Sequence, residues 1–363
     1  MTGRSRAFAT YAAGTLLFVL FFQLTVRSIG NAFPSTDTTL FDEKLGELSE
    51  SAVPHDVIFV GSSRVYRHVH PATFDSVLAA HDIIVHSYNL GSPGTNAFET
   101  PSQIRTILER DREDRIRWVF VALEGLEWNM EEMNLASDRV SRYFDWRTFL
   151  RAARLLRANE TLANEDRRRA LLDRVPPLFR NMTAYARGGN WLREQIEPGR
   201  SHASPLLARH ENGFQSLDTA YAYSEGTVRA SLDERIETYE RNREKRALRK
   251  RARGGRDSTE VSHQASVLRD LLREIEEIVR AHGAEVVYFE RNFGSGAPDL
   301  EAMKQEGVID HLISLEDPAR YPVLHDESHR FDGGHYDEEG AKLLTRYLAE
   351  AFVPIARGKG GGL

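Results

Sequence analysis

The chain has 363 residues, of which 41% are hydrophobic and 28% are charged, and its formal net charge at pH 7 is −6. This length allows one large domain or two modest ones, and the mildly acidic balance argues against nucleic acid as the main partner. The absence of cysteine excludes disulfides, thiolate metal sites, a cysteine nucleophile and acylation at a lipobox cysteine.

The amino-terminal segment has no charged residue from 7 to 26. About 20 such residues in a helix match the ~30 Å hydrocarbon core of a bilayer. Arg4 and Arg6 precede the run, so the positive-inside rule places the amino end in the cytoplasm. A cleaved signal peptide is the alternative, but no clear cleavage site follows. We therefore expect residues 1–30 to be a single-span membrane anchor, with the rest of the chain periplasmic or extracellular.

Short apolar runs then alternate with amphipathic segments. The first run, Val57-Ile58-Phe59-Val60, leads into a Gly-Ser-Ser turn. The pattern predicts strands at 56–61, 83–89, 117–123, 284–289 and 308–315, and helices at 71–80, 97–110, 266–282 and 338–353. Strands separated by helices of this length imply a parallel sheet. We predict a three-layer α/β/α fold with a flavodoxin-like parallel sheet.

Residues 125–262 interrupt this pattern, because they are charged and contain no convincing strand. A capping-box pattern at Ser231 predicts a long polar helix that ends near Arg253. The basic second half of that helix indicates either a solvated face or contact with an anionic polymer or lipid headgroups. The predicted organisation is an anchor (1–30), a first α/β part (31–124), a helical insertion (125–262), a second α/β part (263–356) and a disordered tail (357–363).

Candidate catalytic residues flank the predicted sheet. Ser63 follows the first strand, at the edge where open α/β sheets bind ligands. Asp332 and His335 precede the last helix. These three residue types form nucleophilic triads, with serine as nucleophile, histidine as base and aspartate as the group that orients the imidazole. The alternatives are a helix-capping hydroxyl for Ser63 and a surface loop position for His335.

The loop before the last helix leaves other interpretations open. Asp326 and His329 form a second D-x-x-H pair, although the amphipathic helix around Gly340 favours the later pair. The histidines and carboxylates of this loop would also suit a metal ion. Because a triad explains the same residues, we predict no metal and no cofactor. Arg64 is a candidate for binding an anionic group of the substrate, or for a surface salt bridge.

These motifs resemble those of the SGNH (GDSL-type) hydrolase superfamily. Gly61-Ser62-Ser63 is similar to its first block, the turn after residue 89 to its second block with Gly94 at the matching glycine, and Asp332-x-x-His335 to its last block. The Gly-Ser-Ser variant, followed by a Pro-x-x-Phe run from residue 71, resembles a membrane-anchored extracytoplasmic branch. That branch includes proteins related to alginate O-acetylation and to D-alanine transfer onto teichoic acid. The resemblance covers about 55–125 and 265–355.

The third block of the family departs from its usual pattern. Aligning Gly125 puts Glu127 where the family has the asparagine that donates to the oxyanion. An ionised carboxylate would repel an oxyanion, and losing one donor typically costs about 10²–10³ in turnover. Asn129 is the candidate replacement, and the backbone amides of Ser63 and Gly94 are the other candidate donors.

The sequence therefore predicts a membrane-anchored extracytoplasmic serine esterase or O-acyltransferase. Its expected partners are the membrane, a polysaccharide or other acyl ester, and proteins of envelope assembly. An acyl-enzyme at Ser63 would pass its acyl group to water or to a sugar hydroxyl. The alternative is a catalytically weakened SGNH-like scaffold in envelope or polysaccharide assembly, for which Glu127 is the main support. A third hypothesis is polymer binding through the Arg-rich stretch that ends at Arg253.

Overall fold

The structure is a computed structural model, and it describes residues 3–32, 40–126, 139–159, 162–183, 196, 210–242, 258–290 and 299–358. The chain divides into two compact units. The first combines Met1–Thr39 with Trp128–Ala203, and the second combines Leu40–Glu127 with Ser204–Leu363. The residues predicted to form one helical insertion are therefore shared between the two units.

The second unit contains a five-stranded parallel sheet. Its strands are β1 (Val57–Val60), β2 (Ser87–Asn89), β3 (Trp118–Val121), β4 (Glu285–Glu290) and β5 (His311–Ser314). Their order is β2-β1-β3-β4-β5, and every neighbouring pair is parallel. This confirms the predicted α/β class and parallel sheet, and the order is that of doubly wound sheets of the flavodoxin kind.

The helices follow in chain order. They are α1 (Gly3–Ala32), α2 (Leu40–Glu50), α3 (Ser63–His68), α4 (Pro71–Ala79), α5 (Thr100–Arg110), α6 (Val140–Tyr143), α7 (Trp146–Ala158), α8 (Asn164–Leu172), α9 (Val175–Thr183), α10 (Leu217–Ala222), α11 (Gly226–Arg241), α12 (Ser258–Ala281), α13 (Leu300–Gln305) and α14 (Glu338–Gly358). The last two residues of α14 fall in the predicted tail, whose remaining residues lie outside the described part.

The sheet is buried on both faces, since all residues of β1 and β3 are buried. On one face, aromatic side chains from the strands pack on α4 and α14: the ring centroids of Phe59 and Phe74 are 5.0 Å apart, and those of Phe120 and Phe352 are 4.9 Å apart. Alternate strand residues point to the opposite face. On that face α5 contacts β1, α12 contacts β4, and the two helices contact each other. This arrangement is compatible with three α/β/α layers.

Several boundaries differ from the prediction. Only the last three residues of the predicted strand 83–89 pair with β1. The pairing begins at Ser87, which is in register with Val57. Ser231 lies inside α11, which begins five residues earlier at Gly226, so its capping-box pattern marks no helix start. The basic stretch beyond residue 242 that was predicted to continue this helix lies outside the described residues.

Helix α1 covers the whole run 7–26 that was predicted to cross a membrane. In the first unit it contacts α9, where Gln23 donates a 2.6 Å hydrogen bond to the carbonyl of Met182. Across the residues described here, no helix is both long and apolar enough to span a bilayer. The transmembrane part of the predicted fold is therefore unsupported.

A buried carboxyl group in the second unit predicts a pH-dependent stability. Glu276 of α12 is buried, and its Oε1 has no hydrogen-bond partner among the described residues. Burial, reinforced by the charge of Asp310, raises the pKa of Glu276 to about 7. Folding thus favours the protonated acid, so the stability from this group is present below about pH 4.5 and is lost as pH rises through about 7.

We expect Glu276→Gln, which stays uncharged, to gain stability over the wild type as pH rises between about 5 and 8. The difference should approach roughly 2–3 kcal/mol at the alkaline end. Urea unfolding at pH 5, 6, 7 and 8 measures it. Glu277→Gln, a change at the exposed neighbouring position, is the matched control and should show a flat difference. A flat difference for Glu276→Gln would contradict the assignment.

Candidate active site

Ser63 lies directly after the first strand of the sheet. Strand β1 ends at Val60, Gly61 and Ser62 form the turn, and Ser63 is the first residue of α3. A Cβ on Gly61 would lie 2.8 Å from the carbonyl oxygen of Ala122, which follows β3, so this close approach requires glycine. The turn holds Ser63 at the carboxyl edge of β1, between β2 and β3, where the strand order reverses.

The structure brings the three predicted catalytic residues together. The Oγ of Ser63 is 3.0 Å from Nε2 of His335. The other ring nitrogen, Nδ1, is 3.0 Å from Oδ1 of Asp332. Ser63 is half-buried and Asp332 is buried. A nucleophile in contact with a base, and a base oriented by a carboxylate, is the arrangement that activates serine.

The groups around Asp332 and His335 shift the pKa values of both side chains. Burial raises the pKa of Asp332, but its hydrogen bond and charge interaction with His335, the hydrogen bond from the Gly334 amide and, last, the charge of Arg235 together lower it to about 2. Burial also lowers the pKa of His335 below its ordinary value, against the opposing effect of Asp332. Asp332 is therefore a carboxylate and His335 a neutral proton acceptor at neutral pH.

The loop between Asp332 and His335 is held by its own backbone. The amides of Gly334 and Phe331 donate hydrogen bonds to the Asp332 side chain (2.7 Å) and to the His335 carbonyl (3.1 Å). The next amide, of Tyr336, donates to Nε2 of His68 on α3 at 3.1 Å. These bonds fix the imidazole relative to the helix that carries Ser63.

The second D-x-x-H pair takes a different role. Asp326 accepts a 2.9 Å hydrogen bond from the amide of Ser328 and caps a short 3₁₀ turn. His329 lies 4.0 Å from Asp337 rather than against the serine. Of the two histidines, the structure places His335 beside Ser63.

Helix capping falls to Ser62 rather than to Ser63. The Ser62 hydroxyl accepts a hydrogen bond from the amide of Arg64 at 3.2 Å and donates one to Glu124, which lies just beyond β3. Arg64, the predicted substrate-binding residue, forms a 3.0 Å salt bridge with the same carboxylate. Its position beside the serine is as predicted, and its charge is balanced by Glu124.

The candidate oxyanion donors occupy different parts of the structure. As the first residue of α3, Ser63 has an N–H without an intrahelical acceptor. Gly94 lies in the exposed turn after β2 with a φ of +73°. Asn129 and Glu127 lie outside the described residues. The roles of Ser63, Gly94 and Asn129 as oxyanion donors therefore stay predictions.

A buried network under α3 was not predicted. The amide group of Asn89 donates to the carbonyls of Val65 and Val69 at 2.8 and 2.7 Å, which ties the end of β2 to α3. The fully buried Lys44 donates to the carbonyls of Asn89 and Gly91 at 3.1 and 2.7 Å. Asn89 ends a strand that the sequence predicts, whereas no pattern in the sequence marks Lys44.

Two arginines near the triad also escaped the sequence reasoning. Arg235 of α11 contacts Asp332, and its Nη2 lies 2.9 Å from Nδ1 of His335. Arg67 of α3 donates to the carbonyl and side-chain oxygens of Gln215 at 3.0 and 2.8 Å. Both contacts involve residues from the region predicted as an insertion, so part of that region belongs to the site.

Within the part of the chain that the structure describes, no group of three or more histidine and carboxylate side chains is arranged to hold a metal ion.

No protein-family model matches the chain, and no curated protein matches it.

Proposed function

We propose that this protein is a serine esterase or O-acyltransferase that works through an acyl-enzyme on Ser63. The observation that carries the proposal is the continuous contact from the Ser63 hydroxyl through His335 to Asp332. Asp332 accepts a hydrogen bond from Nδ1–H of His335, which leaves Nε2 as the atom that faces the serine and takes its proton.

The reaction follows from these positions. Ser63 Oγ attacks the acyl carbonyl carbon while its proton passes to Nε2 of His335. The bond to the leaving alcohol then breaks as His335 returns that proton to the alcohol oxygen. Water or a sugar hydroxyl attacks the acyl-enzyme, again losing a proton to His335, and the Ser63 hydroxyl is restored. The amide of Ser63, together with that of Gly94, would donate to the oxyanion.

We further propose that the protein is a member of the SGNH superfamily. The resemblance at Ser63, Gly94 and the Asp332–His335 pair is supported by the position of the serine after β1 and by the strand order. Gly340, in the first turn of α14, has a structural requirement for glycine, because a Cβ there would lie 2.7 Å from the carbonyl oxygen of His329.

The proposed substrate is an ester on an envelope or exopolysaccharide, reached from a membrane-bound position. Supporting this location, Leu17, Phe18 and Phe21 of α1 are 66%, 69% and 71% exposed, and clustered exposed apolar side chains mark contact sites for a membrane or another protein. Fractionation of cells expressing the full chain, with alkaline carbonate washing of the membranes, tests the location. Recovery of the full-length chain in the wash would contradict it.

A fluorophosphonate probe, which phosphonylates activated serines, tests the proposed chemistry. We expect the folded wild type to be labelled on the peptide that contains Ser63, and Ser63→Ala to lose the label. The matched control is Ser62→Ala, which should keep the label while losing about 1 kcal/mol of stability with the helix cap. No labelling of a folded wild type would overturn the proposal and favour the scaffold alternative.

A further inference from the structure

Arg235 lies against Asp332 and His335, although the chemistry of a serine triad does not require a cation at this position. Its guanidinium contacts Oδ2 of Asp332, while Oδ1 of the same carboxylate faces Nδ1 of His335 at 3.0 Å. The Nη2 atom of Arg235 is itself 2.9 Å from Nδ1. Asp332 is therefore shared between the imidazole and the guanidinium.

The carboxylate is fully engaged by these groups. Oδ1 also accepts the amide of Gly334 at 2.7 Å, and Oδ2 lies 3.3 Å from Nδ1 of His335. A buried carboxylate held by several donors and a cation remains ionised and fixed in orientation. The same cation offsets the negative charge that would otherwise stabilise an imidazolium on His335.

We propose that Arg235 is a positioning residue of the triad, which fixes the Asp332 carboxylate and holds His335 in its neutral, proton-accepting form. This inference rests on the proposed function for its consequence in catalysis. Its structural part, the effect of Arg235 on the protonation of His335, does not depend on that function.

Among the other groups around His335, Arg67 acts on its pKa in the same direction as Arg235, whereas Asp332 acts in the opposite direction. From α3 come the Ser63 hydroxyl, the cation of Arg67 and the ring of His68, whose centroid is 5.5 Å from that of His335. Nε2 of His68 is engaged by the amide of Tyr336. Asp332 is the carboxylate that faces the ring from its own loop, and Arg235 is the cation that faces it from α11.

Helix α11 does not depend on Arg235 for its place. Its Leu232 is buried with Leu217 and Ala220 of α10, and its Asp233 accepts a 2.7 Å hydrogen bond from the hydroxyl of Tyr221. The Arg235 side chain is 40% exposed. A neutral substitution at this position is therefore expected to leave α11 packed.

The test compares the wild type with Arg235→Met and Arg235→Lys between pH 4.5 and 9. Two quantities are measured: the rate of Ser63 labelling by the fluorophosphonate probe, and the titration of the His335 ring protons by NMR. Arg241→Met is the matched control, because Arg241 lies on the same helix and pairs only loosely with Glu237 at 3.7 Å.

For Arg235→Met we expect the inflection of the labelling rate and the His335 titration to move up by about one pH unit, since a like charge within ~4–6 Å is removed. Labelling should become slower at acidic pH without a matching loss on the alkaline plateau. Arg235→Lys keeps the charge and should stay near the wild type, and Arg241→Met should overlay it.

A lower labelling rate at every pH with an unchanged inflection would show a merely structural role and overturn the inference. A wild-type His335 that titrates above 6.5 would overturn it without any variant. If the wild type is not labelled at all, the proposed function fails, and the NMR titration still decides the role of Arg235.

Discussion

Replacing His335 by alanine should lower the rate at which the Ser63 hydroxyl attacks an electrophile by about 10⁴-fold or more. The reason is that Nε2 of His335, at 3.0 Å, is positioned to remove the serine proton. Without it, Ser63 is an ordinary alcohol of low nucleophilicity at neutral pH. The second-order rate of fluorophosphonate labelling, followed by intact-protein mass spectrometry, measures the effect.

The control for this experiment is His329→Ala. His329 belongs to the competing D-x-x-H pair and lies near Asp337 rather than the serine. We expect its labelling rate to stay within a few-fold of the wild type. Equal losses in the two variants, with both proteins folded, would show that the effect is not specific to His335 and would contradict its assignment as the base.

Replacing Gly91 by alanine is expected to cause a large loss of stability. A Cβ at Gly91 would lie 2.4 Å from the backbone nitrogen of Tyr66 and 2.9 Å from the carbonyl carbon of Val65. Both atoms are backbone of α3, so relief requires the helix itself to move. We expect a loss of about 3 kcal/mol or more in the free energy of unfolding.

That displacement has a second expected effect. Because α3 begins with Ser63, moving the helix separates the serine from His335, and the labelling rate should fall even under conditions where the variant is folded. Urea unfolding and labelling of the same sample measure the two effects. Gly46→Ala in α2 is the matched control: a Cβ at this position would meet no atom within 4 Å, so the change should be neutral or stabilising by up to about 1 kcal/mol. Equal stability of the two variants would contradict the close packing at Gly91.

The sheet was predictable because its strands are short apolar runs bounded by turn residues. Buried β1 and β3 are continuous runs of apolar residues, which is the pattern of parallel strands covered on both sides. The start of β2 was placed too early because Ile83 and Val85 are buried in the core without pairing to β1. Apolar content reports burial, whereas hydrogen-bonded pairing depends on neighbours that lie elsewhere in the chain.

The triad was predictable for a similar reason. Ser63 and His335 stand next to elements that the local pattern identifies, a strand and an amphipathic helix. Arg235 was not predictable, because its contact with Asp332 joins positions 97 residues apart and one arginine in a charged helix has no distinguishing pattern. The burial of Lys44 was equally hidden, since it depends on two carbonyl groups and a tyrosine ring supplied by other segments.

The hydroxyl and the imidazole that face each other in this site are 272 positions apart in the chain. Ser63 emerges early during synthesis, whereas His335 comes with the segment just before α14. If the proposed function holds, a nascent or truncated chain that stops before His335 lacks the proton acceptor for Ser63, even if its first strands have paired. Acyl-transfer activity would therefore require that the chain is completely synthesised and folded. A single proteolytic cut that releases the carboxyl-terminal segment would abolish that activity.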